Sequence, residues 1–305
     1  MSQSNLHLLD LPNELLFIIL NKFGNVNDLY SLLGRINERF DSLLQDNIFT
    51  KTLHLIKISS TYDDISSFDD SILNRFCSGV LPKIHHNDDN LPHLKCFSLI
   101  CYEKTNAYDN RVLPLLRRMT YLEKLTLYLR LHDRNIFVDG THLHREILMH
   151  MSQLHTFIFH ISTEIEINDS INRLSDNDIQ QTFTNIGYHR IACAINYYRK
   201  SKAICHVFSL PFVFDRLIKI CNHFPAVIYE HVTELTILDD ILFNYEFIVR
   251  IRKAFPSLDD LTIIILQPPS VEFGRDELEF SQSSAIMKYL HLTRLTPSYE
   301  SDDYL

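Results

Sequence analysis

Four histidines within fourteen residues are a first group of potential metal ligands in this sequence. His142 and His144 lie two residues apart, and His150 and His155 follow. The intervening residues 145–148 indicate a helix, on which side chains two positions apart point about 200° away from each other. His142 and His144 therefore cannot ligate one ion together, and we predict no metal site here.

Two pairs of aspartates and one His–Asp cluster are the other polar groups that could do chemistry. Asp239–Asp240 directly follows a predicted strand, whereas Asp259–Asp260 directly precedes one. Adjacent residues on a strand face opposite ways, so neither pair forms a dyad that shares a proton. The cluster of His85–His86 with Asp88–Asp89 is explained equally well by an exposed polar turn.

The cysteines favour core packing over catalysis. Cys193 and Cys205 lie in apolar stretches, where a thiol is a small hydrophobic group with little nucleophilic character. The sequence contains no Cys-x-x-Cys pair and no Gly-x-Ser-x-Gly nucleophile turn. We therefore expect reduced cysteines, no catalytic centre and no cofactor. The six cysteines are Cys77, Cys96, Cys101, Cys193, Cys205 and Cys221.

Composition narrows the class of protein. The chain has 305 residues and a net charge of −9, an acidic balance that argues against binding to nucleic-acid phosphates. Its six glycines are scattered singly, which disfavours the glycine-rich turns of Rossmann and P-loop enzymes. No apolar run approaches the ~20 residues of a membrane span, and residues 1–7 lack the layout of a signal peptide. We expect a cytoplasmic or nuclear protein that binds no membrane.

The first predicted element of the chain is an N-terminal helix. Pro12 suits the first helical position, and Glu14 lies in the first turn, where the helix dipole favours a negative charge. Residues 15–20 are all apolar, so they cover the whole circumference of the helix instead of one stripe. A buried strand is the alternative for so short a run. The helix is predicted to have apolar neighbours on two sides, the second being either the rest of this chain or another protein.

Three segments of the N-terminal region resemble an F-box. Residues 11–20 read Leu-Pro-x-Glu-Leu-x-x-x-Ile-Leu, residues 28–32 read Asp-Leu-x-x-Leu, and residues 36–40 read Ile-Asn-Glu-Arg-Phe. The F-box motif usually has Leu-Pro-x-Glu, an Ile-Leu pair, an Asp-Leu helix start and a Val-Ser-Lys-Arg-Trp-like segment. Arg39 matches the last segment, and Phe40 replaces its Trp.

This resemblance implies a three-helix module that docks on the Skp adaptor of a cullin-based ubiquitin ligase. The docking residues carried over by position are Leu11, Pro12, Leu15, Ile19, Leu20, Leu29 and Leu32.

A template of apolar residues, apolar-x-x-apolar-x-x-apolar-x-apolar, recurs along the rest of the chain. Copies start at Leu91, Met119, Met151, Tyr229 and Phe255, and a partial copy starts at Tyr289. The starts are 26 to 34 residues apart except for one interval of 78, between positions 151 and 229. This spacing is close to the length of one strand-plus-helix repeat. The second half of each copy predicts a short strand, for example 124–128.

Strands that alternate with helices at this spacing build a parallel sheet with helices behind it. The template resembles irregular leucine-rich repeats, which implies an α/β solenoid with a mostly parallel sheet. The alternative is an ordinary α/β domain whose strands are entered by similar turns. The predicted helices between the copies are 112–118, 141–150, 212–223 and 243–254.

The long interval contains a predicted insert around residues 161–210. Its apolar runs 190–195 and 203–208 are separated by residues 197–202, a pattern typical of a hairpin. Pro211 ends the second run, because proline cannot donate a hydrogen bond within an inner strand. The hairpin is predicted either to edge the sheet or to replace one repeat.

Together these features predict a protein that is not an enzyme, with an F-box-like module at 1–50, a leucine-rich-repeat-like α/β domain at 51–296 and a polar tail at 297–305. The first hypothesis is a substrate receptor of a ubiquitin ligase that holds an unidentified target protein on the concave sheet. The second is a protein-interaction scaffold whose N-terminal helices only cap the repeats. A hydrolase with a histidine in a cleft is a third option. In a receptor one face of the first helix stays exposed, whereas in a cap that helix is covered on all sides.

Overall fold

The computed structural model describes residues 11–13, 15–16, 52–57, 94–167, 173–184, 190–198, 201–239, 245–265 and 294–299. The chain divides into two units: Met1–Arg130 with His142–Phe159, and Leu131–Thr141 with His160–Leu305.

Ten strands and four α-helices are assigned within the described residues. The strands are β1 (Thr52–Lys57), β2 (Cys96–Thr105), β3 (Lys124–Arg134), β4 (Thr156–Glu166), β5 (Ile191–Tyr198), β6 (Lys202–Ser209), β7 (Arg216–Ile220), β8 (Glu234–Asp239), β9 (Asp260–Ile265) and β10 (Arg294–Tyr299). The helices are α1 (Leu113–Arg117), α2 (Gly140–Glu146), α3 (Asp176–Gln181) and α4 (Tyr245–Ala254). A π-helical turn, Tyr108–Val112, leads into α1, and a 3₁₀ turn, Leu148–His150, follows α2.

The strands form two sheets. The first has the order β1-β2-β3-β4-β6-β5 and is mixed, because β1 and β2 are parallel whereas β6 is antiparallel to both β4 and β5. The second has the order β10-β9-β8-β7, and all its pairs are parallel.

The recurring apolar template folds as a tight turn followed by a strand. In the first unit, the carbonyl of Met119 accepts a hydrogen bond from the N–H of Leu122 at 3.1 Å, and that of Met151 accepts from Leu154 at 3.1 Å. The Tyr229 and Phe255 copies in the second unit close the same turn. All four apolar positions are buried in each of these four copies. The template therefore marks where a strand begins, and burial of its apolar residues holds the turn.

Successive strand entries are linked by backbone hydrogen bonds. In the first unit the Lys95 carbonyl accepts from the N–H groups of Glu123 and Lys124, and the Glu123 carbonyl accepts in turn from His155 and Thr156. The second unit repeats the pattern, with the Asp215 and Thr233 carbonyls as the acceptors. These hydrogen bonds thus fix where each strand starts relative to the strand before it.

The predicted α/β solenoid with a mostly parallel sheet is wrong. The described residues form two separate sheets, and the antiparallel hairpin of β5 and β6 ends the first sheet. A solenoid requires each repeat to stack on the one before it, and an antiparallel hairpin interrupts that stacking. The described residues instead form a mixed α/β fold with few helices.

The expected open sheet face is also wrong for the inner strands. Every residue of β6 after Lys202 is buried, and the five residues 159–163 of β4 are buried in succession. Side chains alternate between the two faces of a strand, so consecutive burial means that both faces are covered. These strands cannot offer a bare surface to a target protein.

The predicted hairpin is confirmed, whereas one predicted helix is wrong. β5 and β6 pair antiparallel, with Tyr198 opposite Lys202 next to the turn, and β5 lies at the end of the sheet. The stretch 212–223, predicted as a helix, contains strand β7. The three-residue spacing of Phe214, Leu217 and Ile220 suits a helix. In the structure these residues instead lead into and form β7, as an imperfect copy of the apolar template.

The predicted module at 1–50 lies outside the described residues except for 11–13 and 15–16. Of the predicted tail, residues 297–299 belong to β10 and the remainder is also outside the described part.

Candidate functional site

The start of the predicted docking helix is described by five residues. Asn13 is the first helical residue, and the carbonyl of Pro12 accepts from the N–H groups of Leu15 and Leu16, both at 3.1 Å. Pro12 therefore lies one residue ahead of the first helical position, where its carbonyl makes the first helical hydrogen bond.

Two adjacent leucines on this helix have opposite environments. Leu15 is 46% exposed, whereas Leu16 is 1% exposed. Neighbouring positions on a helix are about 100° apart, so one side of this first turn packs on the protein and another faces solvent. Pro12 is exposed and Leu11 is partly buried. The turn thus presents apolar side chains to solvent beside a packed side.

The exposure of this turn matches the predicted docking set only in part, because Leu11 of the set is partly buried and Asn13, which is outside it, is exposed. Pro12 and Leu15 belong to that set, and the buried Leu16 does not. Leu11 precedes the first helical residue, so the helical period does not determine its position relative to Leu15. The other predicted docking residues, Ile19, Leu20, Leu29 and Leu32, lie outside the described residues.

The histidines singled out in the sequence do not converge. His142 and His144 lie on α2, where His142 is buried and His144 exposed, and His150 and His155 are both exposed. This agrees with the prediction that His142 and His144 point in different directions. Among the described residues, no three His, Cys, Asp or Glu side chains are grouped as metal ligands. The cluster at 85–89 lies outside the described residues.

A different pair of histidines is buried in the second unit. His160 on β4 and His206 on β6 are 0% and 1% exposed, with Nε2 of His160 3.2 Å from Nδ1 of His206. Nε2 of His206 is 3.2 Å from the carbonyl oxygen of Lys219. A carbonyl can only accept, so neutral His206 carries its proton on Nε2 and its Nδ1 accepts from His160. The pair is closed to solvent, which suits a structural role and prevents attack on a substrate.

Sequence reasoning missed this pair because the two histidines are 46 residues apart. The register of β4 and β6, with Ser162 opposite His206, brings them to neighbouring diagonal positions on one face. The aromatic rings of Phe208 and Phe212 lie beside His160 at centroid distances of 6.0 and 5.7 Å. The contact follows from the pairing of β4 with β6, and the sequence alone does not indicate that pairing.

Asp259 and Asp260 differ in burial, as expected for adjacent residues that face opposite ways, whereas Asp240 lies outside the described residues. Asp239 is the last residue of β8 and Asp260 the first of β9, and the parallel register sets Asp239 opposite Ile265 and Asp260 opposite Glu234. Five residues of strand, about 16 Å, therefore separate the two carboxylates along the sheet. Asp239 accepts a hydrogen bond from the N–H of Asn222 at 3.0 Å, and Asp259 is exposed. The geometry gives no shared-proton dyad among the described aspartates.

Three buried thiols, those of Cys193, Cys205 and Cys221, are poor nucleophiles. Burial raises the pKa of Cys193 to about 11, and its Sγ donates to the carbonyl of Asp176. Burial also raises the pKa of Cys221 to about 11 and that of Cys205 well above its ordinary value. A thiol with a pKa near 11 is ionised in roughly one molecule in ten thousand at pH 7. None of the five described cysteines forms a disulfide, and Cys77 lies outside the described residues.

Comparison with known proteins gives no relative: no protein-family model, no curated protein and no solved structure matches the chain. In the part of the chain that the structure describes, no helix is long and apolar enough to cross a membrane.

Proposed function

We propose that this chain is a substrate-receptor subunit of a cullin-based ubiquitin ligase, acting in the cytoplasm or nucleus. It binds a Skp-type adaptor through its N-terminal helices and a target protein through the folded α/β part. The receptor contributes binding surfaces and performs no chemistry itself.

The exposure of Leu15 beside the buried Leu16 carries this proposal. A helix that only caps the rest of the chain would be covered on all sides, whereas a docking helix keeps one apolar side for its partner. Leu15 is 46% exposed, and Pro12 is exposed next to it. Both positions belong to the set that the F-box resemblance assigns to the adaptor.

The target is expected to contact loops rather than a sheet face. The inner strands are covered on both faces, and the described loops expose large apolar side chains, among them Ile136 and Ile228, each 61% exposed. Side chains of this type, when they are buried by a partner, can supply much of the binding energy of an interface.

The test is co-expression with a Skp-type adaptor followed by affinity purification. The native chain is expected to retain the adaptor, and a variant with Pro12→Ala and Leu15→Asp is expected to lose it. Retention by that variant, or no retention by the native chain, would contradict the proposal. The second outcome would leave the chain as an interaction protein without a link to ubiquitin.

A further inference from the structure

Among the described residues, strand β5 is the last strand of the first sheet and has β6 as its paired neighbour. The outer side of an edge strand carries backbone N–H and C=O groups that can pair with a strand of another molecule. Natural proteins therefore cover or interrupt such edges. In this chain the cover is α3.

The outward groups of β5 belong to its odd-numbered residues. In an antiparallel pair, successive residues direct their N–H and C=O groups alternately toward and away from the partner strand. The N–H of Ile195 and the carbonyl of Ile191 bond to α3 and so point away from β6. Residues 191, 193, 195 and 197 thus form the outer edge.

Two side chains of α3 occupy the positions of a neighbouring strand. Asp176 accepts from the N–H of Ile195 at 2.7 Å, and the side-chain amide of Gln180 donates to the carbonyl of Ile191 at 3.0 Å. One supplies an acceptor and the other a donor, as the backbone of an added strand would. The helix therefore provides hydrogen-bond partners for two outward backbone groups of β5 without adding a strand to the sheet.

The cover is a short segment with one apolar anchor on its helix. Ile179 is 2% exposed, while Asp176, Asn177 and Gln181 are exposed. Ser175 and Asp178 form a reciprocal capping box, so the helix start is satisfied within the segment itself. The segment is also held by hydrogen bonds from Cys193 Sγ to the Asp176 carbonyl and from the Tyr197 hydroxyl to the Leu174 carbonyl, and by the Arg173 guanidinium over the Tyr197 ring. Directly after the helix, the N–H of Gly140 donates to Thr182 Oγ1.

We propose that α3 is a displaceable cover over a self-complementary edge, and that its release lets two copies of this chain pair antiparallel through β5. The occupant is a second copy because an antiparallel edge can pair with itself about a two-fold axis. The register that pairs every outward residue of β5 is centred on Ala194. In it Ile191 faces Tyr197 of the second copy and Cys193 faces Ile195, so all four outward residues of each strand are paired.

This register also suits the side chains. Ala194 of one copy lies opposite Ala194 of the other at a position without hydrogen bonds, where the side chains are closest. Two methyl groups fit there without a clash. The two groups that α3 covers, the Ile195 N–H and the Ile191 carbonyl, both gain backbone partners.

The first experiment compares the mass of the full chain with that of two α3 variants by light scattering across a wide range of protein concentration. The test variant carries D176A, I179A and Q180A, and the matched control carries N177A and Q181A at exposed positions of the same helix. The native chain and the control are expected to remain monomeric, and the test variant is expected to double in mass. A monomeric test variant that is folded, or a control that doubles equally, would overturn the proposal.

A second experiment locates the contact and does not depend on the triple variant. A194C is added to the milder D176A/Q180A background and to the native chain, followed by gentle oxidation. Cysteines opposite each other at such a position are close enough to form a disulfide. A covalent dimer is expected only in the D176A/Q180A background, and the same background without A194C is expected to give none. Equal cross-linking in both A194C proteins, or in neither, would overturn the proposal.

Discussion

Leu15 and Leu16 are adjacent in sequence, yet the first is 46% and the second 1% exposed. We therefore expect Leu16→Ala to lower the free energy of unfolding by about 2–5 kcal/mol, because it leaves a cavity in a packed site. Leu15→Ala should change it by no more than about 0.5 kcal/mol. Urea unfolding measures both, and equal losses would show that the two leucines have the same environment.

Gly140 at the start of α2 lies against the segment that follows α3. Its N–H donates to Thr182 Oγ1 at 2.8 Å, and a Cβ at this position would be 2.4 Å from the Thr182 carbonyl oxygen. The obstructing atoms are backbone, so they cannot rotate away. Gly140→Ala should cost about 1–3 kcal/mol of stability, as overpacking does.

Thermal unfolding of the Gly140→Ala variant measures this cost, with Thr141→Ala as the control at the exposed next position. An unchanged melting temperature for Gly140→Ala would mean that the two segments are farther apart than the structure has them.

Two buried thiols should make stability fall in mildly alkaline solution. The pKa values of Cys193 and Cys221 are raised by burial to about 11, against 9.0 for the free thiol. Above pH 9 the unfolded chain loses these protons while the folded chain keeps them, so the stabilisation is complete below pH 9 and declines as the pH rises toward 11. Each thiol lowers the free energy of unfolding by up to about 1.4 kcal/mol per pH unit in this range.

The measurement is urea unfolding at several pH values between about 8 and 9.5, below the ordinary tyrosine pKa of 10.0. A variant with both Cys193→Ala and Cys221→Ala should show a shallower decline, whatever its absolute stability. The same slope in the variant and the native chain would refute the role of the two thiols.

His206 contacts both the buried His160 and the irregular backbone at Lys219 in the second unit. It lies 3.2 Å from His160 and 3.2 Å from the Lys219 carbonyl, and Lys219 has a φ of 60° next to a register shift between β7 and β8. His206→Phe keeps a ring but removes both hydrogen bonds, which leaves polar groups in a buried site. We expect a loss of about 2–4 kcal/mol.

Chemical denaturation compares His206→Phe with His144→Phe, since His144 is exposed on α2. The control should stay within about 0.5 kcal/mol of the native chain. A neutral His206→Phe would mean that the histidine pair contributes no net stability.

The sequence predicted where strands begin better than it predicted what they pair with. The apolar template located the entries of β3, β4, β8 and β9, because burying its residues closes a local turn. Whether the strand that pairs next to β4 is parallel or antiparallel depends on residues 202–209, far along the chain. Local spacing carries no information on that choice, so the solenoid was predicted where two sheets form.

At the candidate site, too, the local structure could be predicted from the sequence and the long-range packing could not. The Leu-Pro-x-Glu motif predicted a helix start, and the carbonyl of Pro12 does accept the first helical hydrogen bonds. In an all-apolar run the sequence cannot tell which leucine is covered, because that depends on the packing of the rest of the chain. The exposure of Leu15 became evident only in the folded structure.

Binding of the Skp-type adaptor to two leucine variants tests the central proposal most directly. Leu15 and Leu174 are similarly exposed, at 46% and 40%, but Leu174 precedes α3 and lies outside the predicted docking set. Calorimetric titration should show that Leu15→Asp weakens adaptor binding by about 30-fold or more, since a central apolar contact contributes about 2 kcal/mol. Leu174→Asp should bind like the native chain. Equal affinities of the Leu15→Asp variant and the native chain for the adaptor would contradict the account.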